Sequence, residues 1–506
     1  MFKYVLILCS WLLITSLPAQ QVLTRDLVYN RIAFRLNTEG SYFENRDGKP
    51  AYRIPPEAYS STLYTANLWF GSILASGDTA TVVGTYTDEG VEMLPGPISS
   101  NTDADYFDRY LKTWVLSADQ LLYHKLHYQD AGYAMIPEIR DWPANGRPGI
   151  DTGSLAPYND VDQNGIYNPG NGDYPLIPGD MNVFYMKNSA NGQVANTTGG
   201  KKLKLQVSGF LYAFHATEAP FHSTLFHKII VTNGSVAYDK LLMGMWIDLD
   251  IGDHFDDYAG TLVDQNTVYA YNSDNSDTGG KFPFGDNPPV QGFTWLNRPL
   301  YSSTVYGYPD EPDGHYREYY YYLAGKHFDG SYRERLFDFP GDPLTNDSLS
   351  EPGQGIAPGD RRVLSVVNLG NIAAGETVCI DAALITTRTG NTNLENLANF
   401  PADVRAVQDF YDSILAGECF RYAASVDESG REPAFTVYPN PATDRIFLQH
   451  IPVQAKTLEV ANSLGQLVLS SYTVAVLPVG QLSPGIYVIS VKDGYGRVIC
   501  SQRLVK

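Results

Sequence analysis

The chain has 506 residues and a formal net charge of −20, from 36 basic and 56 acidic side chains. Hydrophobic residues at 43% and charged residues at 18% exclude an intrinsically disordered chain. The acidic surface makes nucleic acid and anionic lipid poor partners. With 36 Tyr, 45 Gly and 31 Pro, and few helical patterns, the composition reads as mostly β. The expected fold class is a multidomain β-sandwich body with few helices, followed by a small immunoglobulin-like β-sandwich.

Residues 1–19 combine Lys3, an apolar run from Tyr4 to Leu17 and a small residue at Ala19. This is the pattern of a signal peptide, with an apolar run too short for a comfortable membrane span. No later segment reaches about 18 apolar residues, so no transmembrane segment is expected. The body is read as 20–422, as one or two sandwich units. Tyr64–Gly71 and Thr79–Tyr86 are strand-like, and Ser117–Tyr128 reads as a helix capped by Ser117, with Leu121, Leu122 and Leu126 on one face. Phe226–Thr232 ends at Asn233-Gly234, a hairpin signal, and Lys240–Leu249 follows as a buried strand. Glu318–Leu323 reads as a strand with tyrosines on both faces. Pro401–Leu415 reads as a helix, with Pro401 in its first turn and Val404, Val407, Tyr411 and Ile414 at helical spacing. A polar linker is expected over 423–433. From 434 to 506 short strands recur every eight to twelve residues, the pattern of a small sandwich.

Two acidic clusters carry the candidate chemistry. In Asp160-Val-Asp-Gln-Asn-Gly165, oxygen ligands stand at positions 1, 3 and 5, with Gly at 6 for the sharp turn, as in the first half of an EF-hand loop. Asp160, Asp162 and Asn164 would be side-chain ligands, Ile166 would give its carbonyl, and Asn168 would serve position 9. Position 12 is Asn171 rather than Glu, and the nearest acid is Asp173 at position 14. The departure argues against a true EF-hand and for a calcium-stabilised loop of related geometry; the other reading is an Asx-turn-rich loop with no metal. The second cluster is Asp248, Asp250, Asp253, Asp256 and Asp257. Asp248 and Asp250 share one face of a strand. A second calcium site, an exposed acidic strand end, or the paired carboxylates of a glycoside hydrolase are the three readings.

Other catalytic patterns are absent from the sequence. His124 and His127 stand three apart without the Glu of a zincin, and no Gly-x-Ser-x-Gly elbow, Walker loop or dinucleotide loop appears. Clustered aromatics fit core packing first and sugar stacking second.

The final segment resembles the type-A C-terminal sorting domain of the type IX secretion system of Bacteroidetes. The resemblance rests on Val437-Tyr438-Pro439-Asn440-Pro441, on Leu464-Gly465-Gln-Leu-Val468, on Leu482-Ser-Pro-Gly485-Ile-Tyr487-Val488, and on the terminal Val505-Lys506. It implies recognition by the type IX machinery and export across the outer membrane. Tag removal and attachment to surface lipopolysaccharide are its frequent sequels. The body is also similar to cargo proteins of this phylum, in Asp141–Ala144, Asp160–Tyr167 with Gly172–Pro175, and Trp246–Gly252; that likeness implies no activity. Cys9 would leave with the signal and Cys500 with a cleaved tag. Cys379 and Cys419 would remain in an oxidising compartment, as a disulfide or as two buried thiols.

These readings lead to two function classes. One is a secreted or cell-surface, calcium-stabilised, non-catalytic module for adhesion, glycan binding or envelope structure. The other is a secreted hydrolase acting on polysaccharide or protein.

Overall fold

The computed structural model describes residues 24–38, 41–45, 49–58, 60–86, 92–151, 154–192, 194, 196–234, 236–280, 282–307, 312, 314–417, 419, 435–449, 451, 455–462, 466–473, 475–492 and 498–506. The expected signal peptide, the linker 423–433 and Gly465 lie outside the described residues.

Two large sheets form the body. The first runs in the order Lys201–Lys202, Thr79–Val82, Thr65–Ile73, Tyr238–Leu249, Arg361–Ile372 and Leu300–Tyr306. The second runs Trp114–Ser117, Met181–Asn188, Leu205–Ala213, Thr224–Asn233, Thr377–Thr387, Val290–Trp295, Thr267–Asn272 and Asp257–Leu262. Alternation along each strand explains why they pack face to face. In Tyr238–Leu249, Leu241, Met243, Met245 and Ile247 enter the core shared by both sheets. In Thr377–Thr387, Ile380, Ala382 and Leu384 do the same.

The other face of each sheet is covered as well. On the second sheet, Phe226, Ala383 and Ile385 meet Leu397, Phe400, Val404, Val407 and Phe410 of the helix Asn393–Phe410. On the first sheet, Leu242, Trp246 and Trp69 meet Tyr319, Tyr322 and Leu323 of the helix Tyr316–Leu323. The Trp69 and Trp246 rings stack with centroids 6.1 Å apart, and Tyr319 stands edge-on to Trp69 at 4.8 Å.

Several expectations change here. Glu318–Leu323 is helical rather than extended: Tyr319, Tyr322 and Leu323 are buried at helical spacing, and a run of identical tyrosines hides which period applies. Asn233-Gly234 makes no hairpin, because Thr224–Asn233 and Tyr238–Leu249 belong to different sheets. The Asn233 amide instead donates to the carbonyls of Val236, Ile372 and Ala373, tying the crossover between sheets. The helix expected from Pro401 starts eight residues earlier, at Asn393, because Thr392 caps it through Glu395 N at 3.1 Å; Pro401 lies inside, and Tyr411–Leu415 closes it as a π turn. The Ser117 helix is capped as expected, with Gln120 completing a capping box. Its buried face holds Leu121 and His124, while Leu126 is exposed.

Residues Thr436 to Val505 form a small sandwich of a three-stranded and a four-stranded sheet. Ile446, Leu458, Val460, Ile489, Val491 and Leu504 fill its core. Val476–Pro478 pairs with Arg445–Gln449 as an outer strand of the three-stranded sheet.

Cys379 and Cys419 are joined, with Cα atoms 5.4 Å apart, linking strand Thr377–Thr387 to the chain beyond the long helix. The bridge closes a 40-residue separation, for which the chain-entropy model gives about 4 kcal/mol. Non-reducing peptide mapping should recover the Cys379–Cys419 pair, and the double Cys→Ser variant should unfold at lower denaturant. Alkylation of both as free thiols in the native protein would contradict the bridge.

Candidate functional site

The first acidic cluster sits in a closed loop. Tyr158–Asn159 pairs antiparallel with Tyr174–Pro175, with Asn159 opposite Tyr174. This short ladder forms the neck of the loop, so Asp160 leaves it where Asp173 re-enters. Asp160, Asp162 and Asp173 each bring a carboxylate oxygen within 4.8 Å of the others. Asp173 is fully buried. Its Oδ1 accepts from Val161 N and its Oδ2 from Asn168 N, both at 2.7 Å. Asp160 accepts from Asn164 N at 3.2 Å and Gly165 N at 2.6 Å. Gly165 has φ 76°, the left-handed turn that its place in the pattern requires.

The remaining expected ligands are placed differently. Asn164 Oδ1 accepts from Ile166 N at 2.7 Å, and Asp162 Oδ2 accepts from the Asn171 amide at 2.9 Å. Asn168 meets the loop through its backbone, donating to Asp173 and accepting from Asn171 N at 2.9 Å. The loop is held from below by His124, a residue sequence reading had set aside. Its Nε2–H donates to the Asp173 carbonyl at 3.0 Å, and its Nδ1 accepts from the Tyr133 hydroxyl at 2.9 Å. Burial lowers the His124 imidazole below its ordinary range, which suits this neutral form. An oxygen-only donor set of three carboxylates matches a hard divalent cation such as calcium.

The second cluster divides in two. Asp248 lies opposite Arg362 across the pair Tyr238–Leu249 and Arg361–Ile372, and Leu249 lies opposite Arg361. Continuing that register sets Asp360 against Asp250. Asp248, Asp250 and Asp360 each offer an oxygen within 4.8 Å of the others. Asp248 shares the strand face of Trp246, and Tyr86 stands edge-on to Trp246 at 5.2 Å, so aromatic rings wall the carboxylate off from water. Tyr86 Oη donates to Asp248 Oδ2 at 2.9 Å and accepts from Arg362 Nε at 2.7 Å. Burial, then the Asp250 charge, pushes the Asp248 carboxyl well up. Burial and Asp360 push Asp250 up to about 7. Asp360 and Arg362 were not found from sequence; only the strand pairing brings them here.

Asp253, Asp256 and Asp257 turn to other partners. Asp257 is fully buried, and its Oδ2 accepts from Ile251 N at 2.9 Å. Asp256 Oδ1 accepts from the Asn272 amide at 2.7 Å. Asp253 presents its backbone N–H to Asp277 Oδ1 at 3.1 Å. Asp277, also unforeseen, takes Phe284 N on its other oxygen at 2.5 Å, so it braces the turn after Asp250.

In the C-terminal sandwich, Asn440 grips the end of the chain: its amide donates to Arg503 O at 2.7 Å and its Oδ1 accepts from Val505 N at 2.8 Å. Gly485 and Lys506 exchange backbone hydrogen bonds at 3.0 and 2.9 Å. The Tyr487 hydroxyl donates to Ser483 O at 2.8 Å. Pro439 and Pro441 flank Asn440, and Tyr438 stacks on Phe447 at 5.5 Å.

Residues 436–506 match the family model described as the secretion system C-terminal sorting domain. No curated protein matches the chain. Among solved structures, a copper-containing benzylamine oxidase from Hansenula polymorpha is similar at 7% identity and a TM-score of 0.26, over 73% of this chain and 60% of that one. A polysaccharide lyase is similar at 8% identity and a TM-score of 0.20, over 64% of this chain and 38% of that one. Both likenesses are too loose to carry an argument. Among the described residues no helix is long and apolar enough to cross a membrane. The chain carries a type IX sorting tail, and that tail directs it to secretion or to the cell surface.

Burial, opposed by the backbone donors Phe284 and Asp253, leaves Asp277 raised to about 6. A carboxyl raised in the fold binds its proton more tightly there than in the unfolded chain. Its stabilising contribution is present below about pH 4 and is lost as pH rises through about 6. Denaturation in chelator should therefore show wild type losing stability over this window relative to an Asp277→Asn variant. Parallel pH profiles would contradict the shift.

Proposed function

We propose that the body is a calcium-stabilised, non-catalytic module for adhesion, glycan binding or envelope structure. It is delivered by the type IX machinery of a Bacteroidetes cell after entry to the periplasm through the signal peptide at 1–19. The observation that carries the calcium reading is the return of Asp173 to within 4.8 Å of Asp160 and Asp162, where the sequence pattern alone lacked its last acid. Two backbone donors fix Asp173 before any ion arrives.

Glycan binding is supported by tyrosines on and beside the helix Tyr316–Leu323. Tyr320 and Tyr321 have centroids 6.5 Å apart. Lys326 Nζ lies 4.4 Å from the Tyr332 ring and 5.9 Å from Tyr321, and Tyr332 is 84% exposed. Such rings stack on sugar faces, and lysines beside them suit acidic sugars. Against the hydrolase reading, Asp248 is only 4% exposed and its Oδ2 is taken by the Tyr86 hydroxyl, which leaves it poorly placed to meet a sugar bond.

Glycan-array binding without turnover, weakened by Tyr321→Ala with Tyr332→Ala, is the expected result. Turnover abolished by Asp250→Asn in a folded variant would overturn it. A loop site with a Kd near ~10⁻⁴ M, at tenfold excess calcium, contributes about 1.4 kcal/mol. Chelator should accordingly lower Tm by roughly 1–2 °C through this site, and Asp160→Ala should remove the loop's share of the shift. Deleting 434–506 should strand the protein in the periplasm; its normal appearance outside the cell would refute the sorting role.

A further inference from the structure

We propose that Asp248, Asp250 and Asp360 form a second site for a hard divalent cation of the calcium class, separate from the loop at 160–173. Asp248 is only 4% exposed, and its Oδ1 is buried with no hydrogen-bond partner. Its other oxygen takes the Tyr86 hydroxyl at 2.9 Å, so Oδ1 is the oxygen left over. The nearest cation, Arg362 Nε, is 3.8 Å from Oδ1, beyond hydrogen-bonding distance. That same Nε is already bonded to Tyr86 at 2.7 Å, and Arg362 Nη1 pairs with Asp360 Oδ2 at 2.9 Å.

The charge count points the same way. Three carboxylates meet one guanidinium, which leaves two negative charges in excess when all are ionised. Like charges held this close in a poorly solvated place require protons or a cation. One divalent ion balances the two charges and gives Asp248 Oδ1 a partner. The donors are carboxylate oxygens, with no imidazole or thiolate among the three, which selects calcium, magnesium or manganese over zinc or copper. Tyr86 and Arg362 act as positioning residues: the hydroxyl occupies Asp248 Oδ2 and so leaves Oδ1 as the oxygen without a hydrogen bond, and the guanidinium pairs with Asp360. Asp253, Asp256 and Asp257 are not among the acids whose oxygens lie within 4.8 Å of one another here; Asp256 and Asp257 accept from Asn272 and Ile251 N in the neighbouring turn, although Asp257 Oδ1 is likewise buried without a hydrogen bond.

The test is the number of calcium ions bound by the purified full chain at pH 7.5, by equilibrium dialysis and calorimetry. The expected result is two ions in wild type, one in Asp160→Ala, one in Asp360→Asn, and none in the double variant. A single ion that Asp160→Ala removes and Asp360→Asn leaves in place would overturn the second site. A single ion with the opposite pattern would support it while refuting the loop. Asp250→Asn serves if Asp360→Asn fails to fold. Terbium luminescence excited through tryptophan gives an independent readout in the Asp160→Ala background. Emission near Trp246 that calcium displaces and Asp250→Asn abolishes supports the site. Its absence in the folded Asp160→Ala protein overturns it, and leaves shared protons as the way the three acids are neutralised.

Discussion

Both large sheets of the body are covered on both faces, and this constraint governs where any polar group can stand. The shared core takes one set of alternating side chains, and a helix takes the other on each side. A charge in the middle of such a strand would have to be buried and paired. Asp381, inside Thr377–Thr387, meets that requirement by pairing with Lys228 of the neighbouring strand at 2.8 Å, while the acids of the two clusters stand at a strand end and a loop neck. Asp248 stands near the end of Tyr238–Leu249, two residues after Trp246 and still beneath Tyr86. The loop of Asp160 and Asp173 hangs from a two-residue ladder outside both sheets.

The same constraint explains what the sequence disclosed. A strand buried on both faces reads as a continuous apolar run, as Lys240–Leu249 does, and was found for that reason. Its partners were not found, because an apolar run carries no mark of which neighbour it meets. Asn233-Gly234 has the chemistry of a tight turn, yet the chain uses it to pass from one sheet to the other, and the shared core between the sheets rewards that crossing. The tyrosine run of Tyr316–Leu323 defeated the period argument outright. With the same residue at four successive positions, only Trp69 and Trp246 beneath it decide that Tyr319 and Tyr322 are buried together.

The candidate sites were legible in halves. Asp160, Asp162 and Gly165 follow a local pattern, so sequence order alone pointed to them. Asp173 fell outside the expected position 12 because the two-residue ladder at the neck, rather than a flanking helix, fixes where the chain returns. A search for the acid just before the strand that closes the loop would have chosen it. Asp360 stands 110 positions after Asp250 and becomes its neighbour only through a strand register, which no local signal encodes. The sorting tail was the most legible part, since its turns are built from Pro439, Asn440, Pro441 and Gly485, residues whose backbone preferences are strong.

The two acidic clusters also differ in how the fold pays for them, and the difference sets what an ion does at each. In the loop, Asp160 and Asp173 are each held by two backbone N–H groups. Those bonds set the carboxylate geometry in advance, so an ion would meet a site already shaped. Among Asp248, Asp250 and Asp360 the support comes from one phenol and one guanidinium, and one buried oxygen has no hydrogen bond. There three acids meet one guanidinium, and an ion, if bound, would relieve their repulsion where Tyr238–Leu249 pairs with Arg361–Ile372. An ion at either site would stabilise the fold by mass action; at the loop it would meet a site already shaped, while at the strand end it would also relieve the crowding of three carboxylates.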